Sequence, residues 1–223
     1  MFGLLPSTEH PVARLLVMDD RAYDVLAVLL PNARAGMISV FAGAARCAGL
    51  VEGLDAWRPE ATTALIRHEL RTVPVAPLPS ELRLRPVRRL PDDPADAVPL
   101  EDAAAAAILA DPRIADTPEA FVSYLRSLPA ATRLFAAIDG DGVVRATCGC
   151  DVFGAVARVM FVNTDPDWRG RGIGQAMTVA ALRAAEEHGA RHACLDATDA
   201  GLSIYQRLGF EVVTPTTRFF RAH

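Results

Sequence analysis

The chain has 223 residues, enough for one large domain or for a domain of about 150 residues with a smaller partner. A hydrophobic fraction of 51% and a charged fraction of 22% exclude long disorder, and a formal net charge of −4 argues against a general nucleic-acid binder. All 23 basic residues are arginine, which excludes Schiff-base and lysine-nucleophile chemistry.

The start, Met1-Phe-Gly-Leu-Leu-Pro6, lacks a basic region and is interrupted too early for a signal peptide. Residues 25–51 are apolar but broken by Pro31, Arg34 and Arg46, so no membrane span is expected. The four cysteines, Cys47, Cys148, Cys150 and Cys194, are scattered, and Cys148-Gly-Cys150 has neither zinc nor redox spacing. Buried free thiols, no metal and a reduced cytoplasmic location are the expectation.

Residues 1–73 predict a mainly helical subdomain. Helices are expected near 20–30, with Asp19 or Asp20 as cap, near 44–54, and near 60–72, where Leu65, Ile66 and Leu70 follow Glu60, Thr62 and Thr63; residues 38–42 predict a short strand. His10 and His68 stand alone and read as structural. Three prolines, Pro74, Pro77 and Pro79, make residues 74–80 an extended connector.

From residue 81 onward the pattern sharpens. Residues 81–90 alternate as a strand, residues 92–99 form a loop, and residues 101–110 form an alanine-rich helix ended by Pro112. A second helix spans 118–128, with Thr117 as cap and Pro118 in its first turn. Asp139-Gly-Asp-Gly142 between two apolar runs predicts a hairpin of residues 133–138 and 143–153. After a turn at Gly154, residues 156–163 alternate as a strand, and the run stops at Pro166. Ile173, Met177, Ala180, Ala181 and Ala184 then mark one face of a helix closed by His188 and Gly189. Residues 190–196 predict a strand, 199–208 a short helix ended by Gly209, and 211–213 and 217–220 two final strands.

Between the strand at 156–163 and its helix lie Arg169, Gly170, Arg171, Gly172 and Gly174. A helix that opens on glycines offers unpaired N–H groups and the positive end of its dipole, and a ligand can approach a backbone that has no Cβ. This is an anion site, and two guanidinium groups suit it to a pyrophosphate. The dinucleotide fingerprint fails because Gln175 stands where its third glycine belongs, and a P-loop fails for want of lysine.

What remains, Arg169-x-x-Gly172-x-Gly174, resembles the R/Q-x-x-G-x-G/A signature of the GNAT superfamily of acyl-CoA-dependent N-acyltransferases. Tyr205-Gln-Arg-Leu-Gly209-Phe210 resembles the Y-x-x-x-G-F element that closes that fold. The order β-α-α-β-β-β-α-β-α-β-β from residue 81, about two thirds of the chain, is similar to the same fold: an α/β (α+β), mostly antiparallel mixed sheet flanked by helices, here preceded by a small N-terminal subdomain.

The resemblance implies an N-acetyltransferase domain over residues 81–223, with acetyl-CoA as co-substrate and direct attack by a primary amine in a ternary complex. It places the coenzyme pyrophosphate on Arg169, Gly170, Arg171, Gly172, Ile173, Gly174 and Gln175. It places the oxyanion and pantetheine on backbone groups of Val162, Asn163 and Thr164. Tyr205 is the expected general acid, since a phenol near pKa 10 stays protonated at pH 7 and lies just above a thiol near 8.5. Thr198 stands where many relatives have asparagine, either capping the last helix or touching pantetheine. No base is identified: Asp151, Asp165 and Asp196 are only nearby acids.

The implied acceptor is a small-molecule or peptide amine, not nucleic acid or membrane. Residues 1–73 are expected to cover the acceptor pocket or to pack a homodimer. The alternative is a non-catalytic acyl-CoA-binding or regulatory module.

Overall fold

The computed structural model describes residues 12–17, 20–30, 35–41, 43–55, 57–111 and 118–221. The expected caps Asp19 and Thr117, the break at Pro112 and the lone His10 lie outside them. Two compact units divide the chain, one built from residues 1–64, 196–202 and 212–223, the other from residues 65–195 and 203–211.

In the first unit, β1 (Val12–Val17) pairs in parallel with β2 (Ala35–Phe41), and β10 (Glu211–Arg221) lies antiparallel to β2, with β3 (Trp57–Arg67) next in order. Helices α1 (Tyr23–Leu29) and α2 (Ala45–Glu52) supply Leu26, Cys47 and Val51 to a core with Val40, Trp57 and Phe219. Asp20 does not cap α1, whose N-cap is Ala22 without a side-chain bond. Its carboxylate instead accepts the Cys47 amide of α2 at 3.0 Å.

Two expectations are corrected here. Residues 60–72 do not form a helix, and among the described residues up to 73 strand outweighs helix. Residues 57–67 are strand, because β-branched Thr62, Thr63 and Ile66 favour extended backbone, and Thr62 donates across the unit to Thr216. The last two expected strands are one, β10. Pro215 is tolerated because pairing with β2 begins only at Thr216, so its missing N–H is not required in that ladder.

In the second unit the strand order is β9-β8-β7-β6-β4-β5. The strands are β4 (Arg83–Arg88), β5 (Val98–Pro99), β6 (Arg133–Ile138), β7 (Val144–Phe153), β8 (Val156–Thr164) and β9 (His192–Ala197). Strands β4, β6, β7 and β8 pair antiparallel in that order, and β9 joins β8 in parallel. The expected hairpin is present: Asp139 Oδ1 accepts the amides of Asp141 and Val143. The expected loop at 92–99 ends in the two-residue strand β5.

Helices α3 (Leu100–Ala110) and α4 (Pro118–Ser127) pack Ala103, Ala104, Ala107, Phe121 and Leu125 onto Val87, Leu134, Ala136 and Val144. A single arginine closes α4. Arg89 donates to the carbonyls of Leu125, Leu128, Pro129 and Thr132, at and just beyond a helix C-terminus, where backbone carbonyls lack intrahelical donors. Helix α5 (Ile173–Glu187) buries Ile173, Met177, Ala181 and Leu182 against the sheet. It ends in a Schellman cap, with Ala190 N–H on Ala185 and Gly189 N–H on Glu186. Helix α6 (Asp199–Arg207) follows β9.

Candidate functional site

The site grows from the end of β8. Strand β8 pairs with β9 only through Val156, Ala157 and Arg158, whereas it follows β7 as far as Thr164. The β7 register slips between Thr147 and Gly149, and opposite that slip Phe161 adopts φ +53°, a left-handed conformation unfavourable for a bulky residue. Thr147 Oγ1 donates to the Phe161 carbonyl at 3.1 Å, and the Phe161 ring lies edge-on to Phe121 and Tyr124 of α4. Val162, Asn163 and Thr164, all half-buried, therefore extend past the last β8–β9 pair.

The turn after β8 is tightly braced. Asp165 accepts the Asp167 amide at 3.0 Å, opening a 3-10 turn over Pro166–Trp168. Arg145 of β7 grips Asp165 at 2.9 Å and Asp139 of the hairpin at 2.7 Å. Hydrogen bonds to Asp165 and Asp139 raise the Arg145 pKa, and the bond from Arg145 leads the causes that hold the Asp139 carboxyl below its ordinary range. Two guanidinium groups lie over the Trp168 ring, Arg145 at 5.2 Å and Arg171 at 4.7 Å from its centroid.

Arg169 is part of this brace. Its Nε donates to the Thr164 carbonyl at 3.2 Å and a terminal nitrogen to the Ala110 carbonyl of α3 at 2.8 Å. Arg171 is exposed and donates to the Asp167 carbonyl at 3.3 Å.

Gly170 and Gly172 both take φ near +80°, and a Cβ at either would meet nothing within 4 Å. Gly172 is the N-cap of α5, with no side-chain cap. The first-turn amides of Ile173, Gly174 and Gln175 thus start a fifteen-residue helix whose N-cap residue offers no side-chain acceptor. Ile173 contributes backbone alone, its side chain being 1% exposed. At Gly174 a Cβ would lie 3.7 Å from Ile204 Cδ1 and 3.8 Å from Thr164 Oγ1, so α6 packs beside the first turn of α5 and the end of β8.

Tyr205 follows Ile204 on α6 and is half-buried. The expected Gly209 cap is present: φ is +78°, Gly209 N–H bonds to Gln206 and Phe210 N–H to Tyr205, both carbonyls, and the Phe210 ring meets the Tyr205 ring edge-on at 6.0 Å. Thr198 opens α6, its carbonyl accepting the amides of Gly201 and Leu202, and it is counted with the first unit.

The three nearby acids are all engaged by arginine: Asp151 by Arg158 at 2.6 Å, Asp165 by Arg145, and Asp196 by Arg218 at 3.7 Å. Among the described residues no group of three or more His, Cys, Asp or Glu side chains is placed to hold a metal, and no helix is long and apolar enough to cross a membrane. The brace of Arg145, Trp168 and the Ala110 carbonyl was missed by sequence reasoning. Only the Asp165-Pro166-Asp167 turn carried a local signal.

Residues 130–212, which hold the glycine loop, α5 and Tyr205, match the family model described as an acetyltransferase (GNAT) domain. No curated protein matches the chain. Among solved structures, a GCN5-related N-acetyltransferase from Kribbella flavida is 21% identical with a TM-score of 0.60, covering 94% of this chain and 81% of that one. One from Sphaerobacter thermophilus is 20% identical with a TM-score of 0.59, over 90% of this chain and 65% of that one. A tandem GNAT protein from the clavulanic acid biosynthesis pathway is 18% identical with a TM-score of 0.58, over 96% and 76%. Residues 130–212 thus match the GNAT acetyltransferase family model, and the likeness to these solved structures is one of fold.

Proposed function

We propose that the protein is an N-acetyltransferase that moves an acetyl group from acetyl-CoA directly to a primary amine of a small molecule or peptide, in a ternary complex. Acetyl-CoA supplies the activated thioester. The observation that carries this reading is the uncapped start of α5, where Gly170 and Gly172 leave open space above amides that point outward from a long helix. Those amides, with Arg171, are assigned to the pyrophosphate. Arg169 is assigned chiefly to shaping the loop, given its bonds to Thr164 and Ala110.

Acyl transfer requires donors where the carbonyl oxygen becomes negative, and the backbone of residues 162–164, beyond the last β8–β9 pair, is assigned that role. Protonation of the leaving thiolate is assigned to Tyr205, since a phenol of ordinary pKa about 10 is a proton donor at pH 7. Proton loss from the amine is assigned to water, because Asp151, Asp165 and Asp196 each hold an arginine. Thr198 enters only as the residue that opens α6.

The same observation about the acids favours the second reading, a non-catalytic acyl-CoA-binding module. Thiol release from acetyl-CoA separates the two when measured against pools of small amines, amino acids, aminoglycosides, polyamines and peptide N-termini. Release above hydrolysis with one pool establishes turnover and names the acceptor class; silence in every pool, together with measurable coenzyme A binding, favours the module. With an active pool, Tyr205→Phe is expected to lower kcat about 100-fold at unchanged KM for acetyl-CoA. Residues 1–73 are assigned to homodimer packing, which light scattering on the full chain measures directly.

A further inference from the structure

Arg67, the last residue of β3, is only 7% exposed. Burial lowers its pKa while neighbouring Glu69 opposes the shift. Its Nη1 donates to the Leu208 carbonyl and its Nη2 to Thr72 Oγ1 at 3.0 Å. Leu208 directly follows the last residue of α6, where carbonyls lack intrahelical donors and the helix dipole is negative, so a guanidinium is favoured there. Only a planar fork with several donors reaches two acceptors on separate segments from a buried position.

The same nitrogen fixes the neighbouring glycine. Any Cβ on Gly209 would run into Arg67 Nη1, so Gly209 is required both by its φ and by the close approach of the arginine. The Phe210 amide then closes on the Tyr205 carbonyl at 3.0 Å and its ring lies against the tyrosine ring. Each contact leaves the next one little freedom, from Arg67 through Leu208 and Gly209 to Phe210 and the phenol.

We propose that Arg67 is a positioning residue for Tyr205: by sealing the C-terminal end of α6 it fixes the Gly209–Phe210 cap and, through it, the direction of the tyrosine ring. The inference rests on the acid role assigned to Tyr205 above. Since β3 lies far from the glycine loop in sequence, a segment outside the matched residues 130–212 thereby sets the geometry of the site.

The test uses the full-length protein with ring-labelled tyrosine. Its three tyrosines are Tyr23, Tyr124 and Tyr205, and Tyr205→Phe identifies the Tyr205 signal by its loss. In Arg67→Gln the Tyr205 ring signal is expected to shift or broaden while the other two hold. An unmoved Tyr205 signal, or equal changes in all three, overturns the proposal. If Arg67→Gln does not fold, Thr72→Val removes one anchor of the guanidinium and is read in the same way.

Kinetics then separate this inference from the reading beneath it. Arg67→Gln should lower kcat about tenfold at unchanged KM for acetyl-CoA, and Arg67→Lys should recover part of the loss. In a Tyr205→Phe background the same substitution should have no further effect. Equal losses in both backgrounds overturn the positioning role and leave the acid role intact. Full turnover in Tyr205→Phe alone overturns the acid role, and the catalytic meaning of Arg67 with it.

Discussion

Helices α5 and α6 flank the candidate site and use left-handed glycines at opposite ends for opposite purposes. At the start of α5, Gly172 has nothing within 4 Å of a Cβ position and no side chain caps the first amides. At the end of α6, Gly209 takes nearly the same φ, yet the space beside it is filled by the Arg67 guanidinium. One helix end is open and the other is sealed by the protein. The same backbone conformation therefore says little about function until the neighbouring space is known.

That contrast sets the order of expected effects. Gly209→Ala meets both a strained φ and the guanidinium, and should cost roughly 3 kcal/mol, or about 6–12 °C in Tm for a chain of this size. Thermal unfolding checks it. A loss no greater than that of Gly172→Ala would mean that Arg67 moves aside freely, and the comparison would collapse. Gly172→Ala meets the φ strain alone, about 1–2 kcal/mol. Its main effect should be on coenzyme A affinity, reduced about tenfold in calorimetry, because relaxing the strain rotates the first amides of α5. Unchanged affinity would remove those amides from the anion site.

How far these features were legible follows from how local their causes are. The β6–β7 hairpin announced itself through Asp139-Gly-Asp-Gly142, and the Gly209 cap with Phe210 on Tyr205 followed from three neighbouring residue types. Residues 60–72 misled because Leu65, Ile66 and Leu70 carry helical spacing, while pairing of Thr62 with Thr216, 154 positions away, helps hold the strand. Residues 211–213 and 217–220 were expected as two strands and form one, since a proline between them would end a strand only where its N–H is required. The arginines were the least legible part. Arg67 reaches 141 positions to Leu208, Arg169 reaches 59 back to Ala110, and Arg145 joins two acids from separate turns. In sequence Arg67 and Arg145 are ordinary surface-type residues, and Arg169 carried a ligand signal with no hint of its bond to Ala110.

Alkaline pH offers a way to loosen α5 while sparing the seal on α6. On β7, against which α5 packs, burial pushes the Cys150 thiol up to about 12 and raises Cys148 as well. Both folded values lie above the unfolded value near 8.5, so their stabilisation is complete below that pH and is lost as pH rises toward the folded values. By pH 9 the loss should be about 0.8 kcal/mol per thiol. Arginine does not titrate in this window, so the Arg67 contact is untouched. Tm measured against pH should fall above about 8.5, and less steeply in Cys150→Ala; parallel slopes for the two proteins would exclude the thiols as the cause.

The smallest expected effect has the opposite sign. Gly174 lies inside the first turn of α5 with no positive φ, and a Cβ there would make ordinary contacts with Ile204 at 3.7 Å and Thr164 at 3.8 Å. Alanine adds packing and reduces the freedom of the unfolded chain, so Gly174→Ala should stabilise by about 0.5 kcal/mol. Coenzyme A affinity should stay within about twofold, since a side chain pointing at Thr164 and Ile204 leaves the N–H direction unchanged. Reduced affinity with unchanged Tm would place the ligand against α6, on the side that Ile204 now covers, and the open end of α5 would have to be sought on its other face.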